Sequence, residues 1–141
     1  MEFIAAARRY DGSRWRHMGR SCLGIDCVGL VLLAARDIGH QVDDVPSYRR
    51  GANGYDVVRE IAARTVPARL AEPAEGDIIL FRESLYPCHC GILAREHGAP
   101  GDAPFWSLIH AHAKRGRVLE EPYEPHWRGL ATHAFALPER R

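Results

Sequence analysis

The segment Gly24-Ile25-Asp26-Cys27-Val28-Gly29-Leu30 opens an apolar run that continues to Ile38. A run of that length and polarity folds as a buried helix, and Asp26 stands where an N-cap belongs. Cys27 then falls in the first helical turn, where free backbone N–H groups and the helix dipole favour a thiolate over a thiol. Two readings follow. Cys27 is either a nucleophile that needs a proton partner and an orienting group, or one more small residue of a core in which free cysteines are often buried. His89 and His110, on later apolar segments, are the candidate partners.

The 141 residues suffice for one domain with one core, 1–141, without covalent staples. A formal net charge of +1, with acids interspersed among the arginines, gives no polyanion-binding face, so nucleic acid is not an expected partner. No stretch is long enough to span a bilayer, and membrane insertion is not expected. Met1 to Tyr10 places an apolar turn ahead of Arg8-Arg9, the reverse of a secretory signal, so the expectation is a chain with no export signal of its own. Cys22, Cys27, Cys88 and Cys90 are spaced C-x4-C and C-x-C. The first barely suits a structural zinc pair, and in a strand Cys88 and Cys90 point away from His89. No metal and no cofactor is expected.

Residues Glu2 to Arg9 read as a short helix with Phe3, Ile4 and Ala7 on one side. A polar segment runs from Asp11 to Gly24, followed by the helix from Asp26 to Ile38, with Gly39 at its C-terminal cap. Val42 to Gly51 reads as a loop, and an amphipathic helix spans about 54 to 64 with Asn53 as its cap. Beyond Pro67 the pattern becomes short strands: Ile78 to Phe81, His89 to Ala94, Trp106 to Ala113, Arg117 to Glu120 and Thr132 to Leu137. Helices first and strands afterwards predict an α+β domain, with N-terminal helices packed on a roughly five-stranded antiparallel sheet.

This order of elements resembles the NlpC-type cell-wall cysteine peptidases, a papain-like family of bacterial and phage enzymes. Asp26-Cys27-Val28-Gly29-Leu30 is similar to the family's nucleophile motif. Gly76-Asp77-Ile78-Ile79-Leu80-Phe81 resembles its strand opener, His89-Cys90-Gly91-Ile92-Leu93 its general-base motif, and Ile109-His110-Ala111 with Gly116 and Val118 its third motif. Each is weak alone; four in this order are specific. Within the family the chain is closest to the branch carried in phage and prophage tail clusters, whose Tyr-Arg-His run is matched by Gly12-Ser13-Arg14-Trp15-Arg16-His17. Trp15 stands where the family usually has a tyrosine thought to help the oxyanion, and an indole N–H can still donate.

The resemblance implies amide hydrolysis with Cys27 as nucleophile, His89 as base and His110 orienting His89. Trp15 and Asp26, beside the helix start, are the oxyanion or substrate candidates. Side-chain period alone does not separate His110 from His112, which share a strand face; the Ile-His-Ala match picks His110. The implied substrate is the peptidoglycan stem peptide, with Arg14, Arg16, Arg20 and Arg49 as candidates to pair with its carboxylates. The implied partners are other phage tail-tip proteins and the implied location is the virion tail, with Glu2 to Arg9 and Glu120 to Arg128 as candidate docking surfaces. Three other readings stay open: a structural tail-tip subunit that keeps a degenerate peptidase fold, a cysteine-ligated metal module, and a cellular acyltransferase on the same fold.

Overall fold

A computed structural model describes residues 1–45, 48, 55–83, 86–96 and 105–138. Helix α1 (Glu2–Arg8) buries Phe3, Ile4, Ala6 and Ala7. It packs on the central helix α2 (Cys27–Asp37), which is buried over most of its circumference through Val28, Leu30, Val31, Leu32, Ala34 and Ala35. Asp26 caps α2 by accepting from the Gly29 N–H at 2.8 Å. The far end closes with Gly39 N–H on the Arg36 carbonyl and His40 N–H on that of Ala35, the Schellman pattern. Helix α3 (Asp56–Arg64) turns Val57 and Ile61 inward. It begins at Tyr55 with no side-chain cap; the proposed cap Asn53 lies outside the described residues, as does much of the loop read between Val42 and Gly51.

Strands β1 (Arg20–Ser21) and β2 (Gly24–Ile25) form a small hairpin just ahead of α2. The main sheet holds β3 (Val66–Pro67), β4 (Ile78–Glu83), β5 (Tyr86–Glu96), β6 (Phe105–His112), β7 (Arg117–Pro122) and β8 (Ala131–Ala136) in the order β3-β8-β4-β5-β6-β7. Every pairing is antiparallel. The sheet has six strands rather than about five because the two residues of β3 pair with the end of β8, a contact too short to leave a periodic signal.

Alternation along the strands divides the core in two. Ile78, Leu80, Cys90, Ile92, Ala94, Ile109, Ala111 and Val118 face α1 and α2. Ile79, Phe81, Leu93 and Leu108 face the other way and are covered by Tyr123 and by Trp127 of α4 (Pro125–Leu130). Glu120 to Arg128, read as a candidate docking tail, is the end of β7 and the helix that seals the second face, with Trp127 buried at 7% exposure and Glu124, Pro125, His126 and Arg128 exposed. The apolar side of α1, the other candidate docking surface, is likewise occupied by α2. No helix among the described residues is long and apolar enough to cross a membrane.

Gly29 lies where the segment carrying β1 crosses α2. A Cβ built there would sit 2.2 Å from the Gly19 carbonyl oxygen, a backbone atom with no room to retreat. Alanine would gain about 1 kcal/mol of helix propensity, but forced overpacking costs about 1–3 kcal/mol or more. Gly29→Ala is therefore expected to lower the urea midpoint despite being the better helix former.

Candidate active site

The site is built around the carboxylate of Asp26, which is 1% exposed. Oδ1 accepts from the Gly29 N–H at 2.8 Å and from Arg20 Nη1 at 3.0 Å. Oδ2 accepts from the Met18 N–H at 2.8 Å and from the Tyr48 hydroxyl. Arg20 continues to Asp44 through Nε at 2.9 Å, and its guanidinium lies 5.7 Å over the Tyr48 ring. Burial and the neighbouring Asp26 charge hold the Tyr48 phenol far above its ordinary range, so it stays a donor. Asp44 is held below its ordinary value because the Arg20 pairing outweighs its partial burial.

Both oxygens of Asp26 are thus occupied by groups from three other parts of the chain. Its carboxylate ties the 17–20 segment and Tyr48 to the start of α2, and it is not presented to an oxyanion or a substrate. Arg20, read as a candidate for substrate carboxylates, is spent on Asp26 and Asp44. Arg14 and Arg16 are exposed, and Arg49 lies outside the described residues.

Cys27 occupies the first position of α2 and is 3% exposed. Its Sγ lies 4.0 Å from the carbonyl oxygen of Cys88, the residue before His89. The Cys90 thiol is pushed well up by its contact with Cys27 and by burial, and stays neutral beside the Cys27 sulfur. Cys88 and Cys90 are buried, with Cys88 Sγ 3.8 Å from Glu83 Oε2; Cys22 is exposed.

His89 and His110 lie on the other face of β5 and β6. His89 Nε2 and His110 Nδ1 are 2.8 Å apart, with exposures of 1% and 0%. His110 Nε2 is in turn 2.8 Å from Glu121 Oε2, at the end of β7. The rings are packed against Trp127, at 5.7 Å from His89 and 4.9 Å from His110, and Phe81 lies 5.9 Å from His89. Pairing between β5 and β6 runs from Ile92↔Ile109 to Glu96↔Phe105, and the His89 and His110 side chains meet beyond the Ile92↔Ile109 pair. Gly91 makes this possible: a Cβ there would lie 2.5 Å from Leu108 Cδ1 and 3.0 Å from His110 Cβ, driving the His110 side chain off its partner.

Burial pushes His110 down to about 4, against the opposing pull of Glu121. Glu121 is held below its ordinary value although burial opposes this, because His110 and Trp127 both donate to it. The pair is therefore a neutral imidazole on an ionised carboxylate. The histidine bonded to His89 is His110; His112 lies 5.9 Å from His89 ring to ring, and its buried Nδ1 has no hydrogen-bond partner among the described residues.

The structure therefore brings His89 and His110 into direct contact. It places Cys27 against the main chain beside His89 and against Cys90, with no Cys27–His89 hydrogen bond among the described residues. Trp15 is half-buried against the core, bridged to Ile25 and bonded through its backbone N–H to the Gly116 carbonyl at 2.8 Å. His17 is exposed with its ring 5.6 Å from Tyr48, and His126 lies 5.2 Å from Trp127. Among the described residues no group of three His, Cys, Asp or Glu side chains is arranged to hold a metal ion. Tyr48, Glu83 and Glu121 escaped the sequence reading. Glu83, with Oε1 3.8 Å from His89 Nδ1, and Glu121 each end a strand, where a carboxylate resembles any solvated end.

The model of the NlpC/P60 family matches residues 12–135. The chain belongs to the NlpC/P60 family. Solved structures similar to this NlpC/P60 chain include an NLP/P60-family protein, described as similar to lipoprotein, from Staphylococcus aureus (TM-score 0.68, 17% identity, 99% of this chain and 41% of that one). Another is an NlpC/P60 family protein from Bacillus cereus (TM-score 0.67, 18% identity, 97% and 40%). A third is the NlpC/p60 domain of the peptidoglycan hydrolase SagA (TM-score 0.61, 18% identity, 96% and 97%). At these identities the likeness is one of fold, and the chain spans about two fifths of the length of the first two. No curated protein matches the sequence significantly. The fold is the α+β, papain-like arrangement expected of the NlpC/P60 family.

Removing the Asp26 carboxylate deletes the N-cap and strands the Met18 N–H, the Tyr48 hydroxyl and one side of Arg20. Asp26→Ala is expected to cost about 2–4 kcal/mol in urea unfolding, well beyond the loss of a cap alone.

Proposed function

We propose that this NlpC/P60 domain is a peptidoglycan hydrolase, a cysteine endopeptidase that cleaves amide bonds of the murein peptide stem. The observation that carries this reading is the buried His89–His110 pair, with the Cys27 sulfur against the carbonyl of Cys88, the residue before His89. The likeness in fold to the SagA hydrolase domain supports it.

Glu121 accepts the Nε2 proton of His110, so His110 Nδ1 accepts from His89 Nε2, and the lone pair of His89 is left on Nδ1. That nitrogen takes the Cys27 proton as the sulfur attacks the scissile carbonyl. Contacts of this kind are often long in an empty site and tighten when substrate is bound. The oxyanion meets the N–H groups of Cys27 and Val28, which the helix ladder leaves unused, with Trp15 as the side-chain donor. The imidazolium of His89 then protonates the leaving amine, and water resolves the thioester.

The finer reading places the protein in a phage tail, where it opens the wall locally during DNA delivery, docked on other tail-tip proteins. Its support is the Gly12–His17 run ahead of the nucleophile and the order of the four motifs. Mass spectrometry of purified particles is expected to find this chain in the virion; recovery only from infected cytoplasm would overturn the tail assignment.

Cys27→Ala is expected to abolish release of peptides from purified muropeptides while leaving the unfolding midpoint within about 1 kcal/mol of wild type. Cys22→Ala is expected to retain activity. A folded Cys27→Ala protein that still cleaves would overturn the mechanism. Folded wild-type protein that is inert on muropeptides would favour the structural tail subunit.

A further inference from the structure

We infer that Glu121 is a positioning residue for the proposed reaction, acting through His110 to fix which nitrogen of His89 carries the proton. The inference rests on the hydrolase reading of the same site and extends it beyond the Cys27, His89 and His110 set. An imidazole buried without charge has two tautomers of nearly equal energy, and its partners choose between them. His110 has a partner on each nitrogen, Glu121 Oε2 at 2.8 Å and His89 Nε2 at 2.8 Å. Only one of these partners is unable to donate. An ionised carboxylate accepts and nothing else, so the His110 proton stays on Nε2 and Nδ1 is left as an acceptor. His89 must then place its own proton on Nε2 and its lone pair on Nδ1, the arrangement a general base requires.

Reversed, the same two rings would present a protonated Nδ1 on His89, which cannot receive a thiol proton. Glu121 is held for this task from two sides, by His110 and by the indole N–H of Trp127, whose ring also covers both histidines. Its charge lies at the far end of the pair and favours the imidazolium formed during turnover. Among the described residues, other groups that act on these rings are His112 on β6, Lys114 and Arg115 in the turn after β6, and Glu83 on β4, whose Oε1 lies 3.8 Å from His89 Nδ1, beyond hydrogen-bond distance. None of them bonds His110 in the way Glu121 does.

The test uses nitrogen-15 NMR of the histidine rings together with the pH profile of muropeptide cleavage, on wild type and Glu121→Gln. In wild type both His110 and His89 are expected to be protonated on Nε2 alone. A wild type with either ring protonated on Nδ1 overturns the inference without any variant. The amide of Glu121→Gln can donate as well as accept, so His110 is expected to show mixed tautomers. The kcat is expected to fall about 10- to 100-fold, in the range of losses seen when outer partners of working histidines are removed, with KM little changed. The acidic limb of kcat/KM is expected to move to lower pH, because the His89 imidazolium has lost a stabilising charge and the base stays unprotonated further into acid. Glu120→Gln, on the opposite face of β7 and bonded to Arg8 and Ser107, is expected to change neither tautomers nor profile. Unchanged tautomers and an unchanged profile in Glu121→Gln would overturn the inference. A wild type with the stated tautomers that cleaves no muropeptide would leave the Glu121 assignment standing and remove the hydrolase reading.

Discussion

A carboxylate taken out of water must be repaid by hydrogen bonds, and the position of Cys27 depends on how Asp26 meets that demand. Its four donors come from the helix it caps, from Arg20, from Met18 and from Tyr48. None is interchangeable with solvent at 1% exposure, so the segment before α2, the helix start and the residue at 48 assemble together or not at all. The cysteine is the next residue along. Its location is a by-product of satisfying the charge beside it, with Gly29 allowing the crossing segment close enough to do so.

The sheet supplies the second constraint. β5 serves both halves of the core at once: Cys90 and Ile92 pack toward α2, while His89 and Leu93 face Trp127 and its neighbours. β5 thus carries Cys90 against Cys27 on one face and the His89–His110 contact on the other. Trp127 closes the outer side, so the histidine pair lies in a setting from which bulk water is largely excluded.

Much of this was legible in the sequence, and for a common reason: features carried by neighbours in the chain leave periodic traces. The capped apolar run gave α2, alternation gave most strands of the sheet, and the C-x-C spacing placed Cys88 and Cys90 opposite His89. What escaped depends on contacts distant in sequence. Tyr48 reaches Asp26 across 22 residues, and Glu121 meets His110 across a hairpin whose register no local pattern specifies. β3 is too short to carry a period, and α4 begins at a proline that reads equally well as a loop. Arg20 was misread because an exposed arginine and one folded back on two carboxylates look alike in a sequence.

The strict alternation of β5 also bears on how such a chain can change over generations. One residue inserted between Cys88 and Gly91 would rotate every later or earlier side chain by half a turn about the strand. The imidazole would then enter the aliphatic layer beneath α2, a cysteine would meet Trp127, and the small residue that lets His110 approach would be on the wrong side. Point substitutions at these positions alter the centre by degrees, whereas a single-codon length change removes it in one step. A change of length in a connection outside this stretch leaves that alternation intact, whereas one between His89 and Gly91 does not.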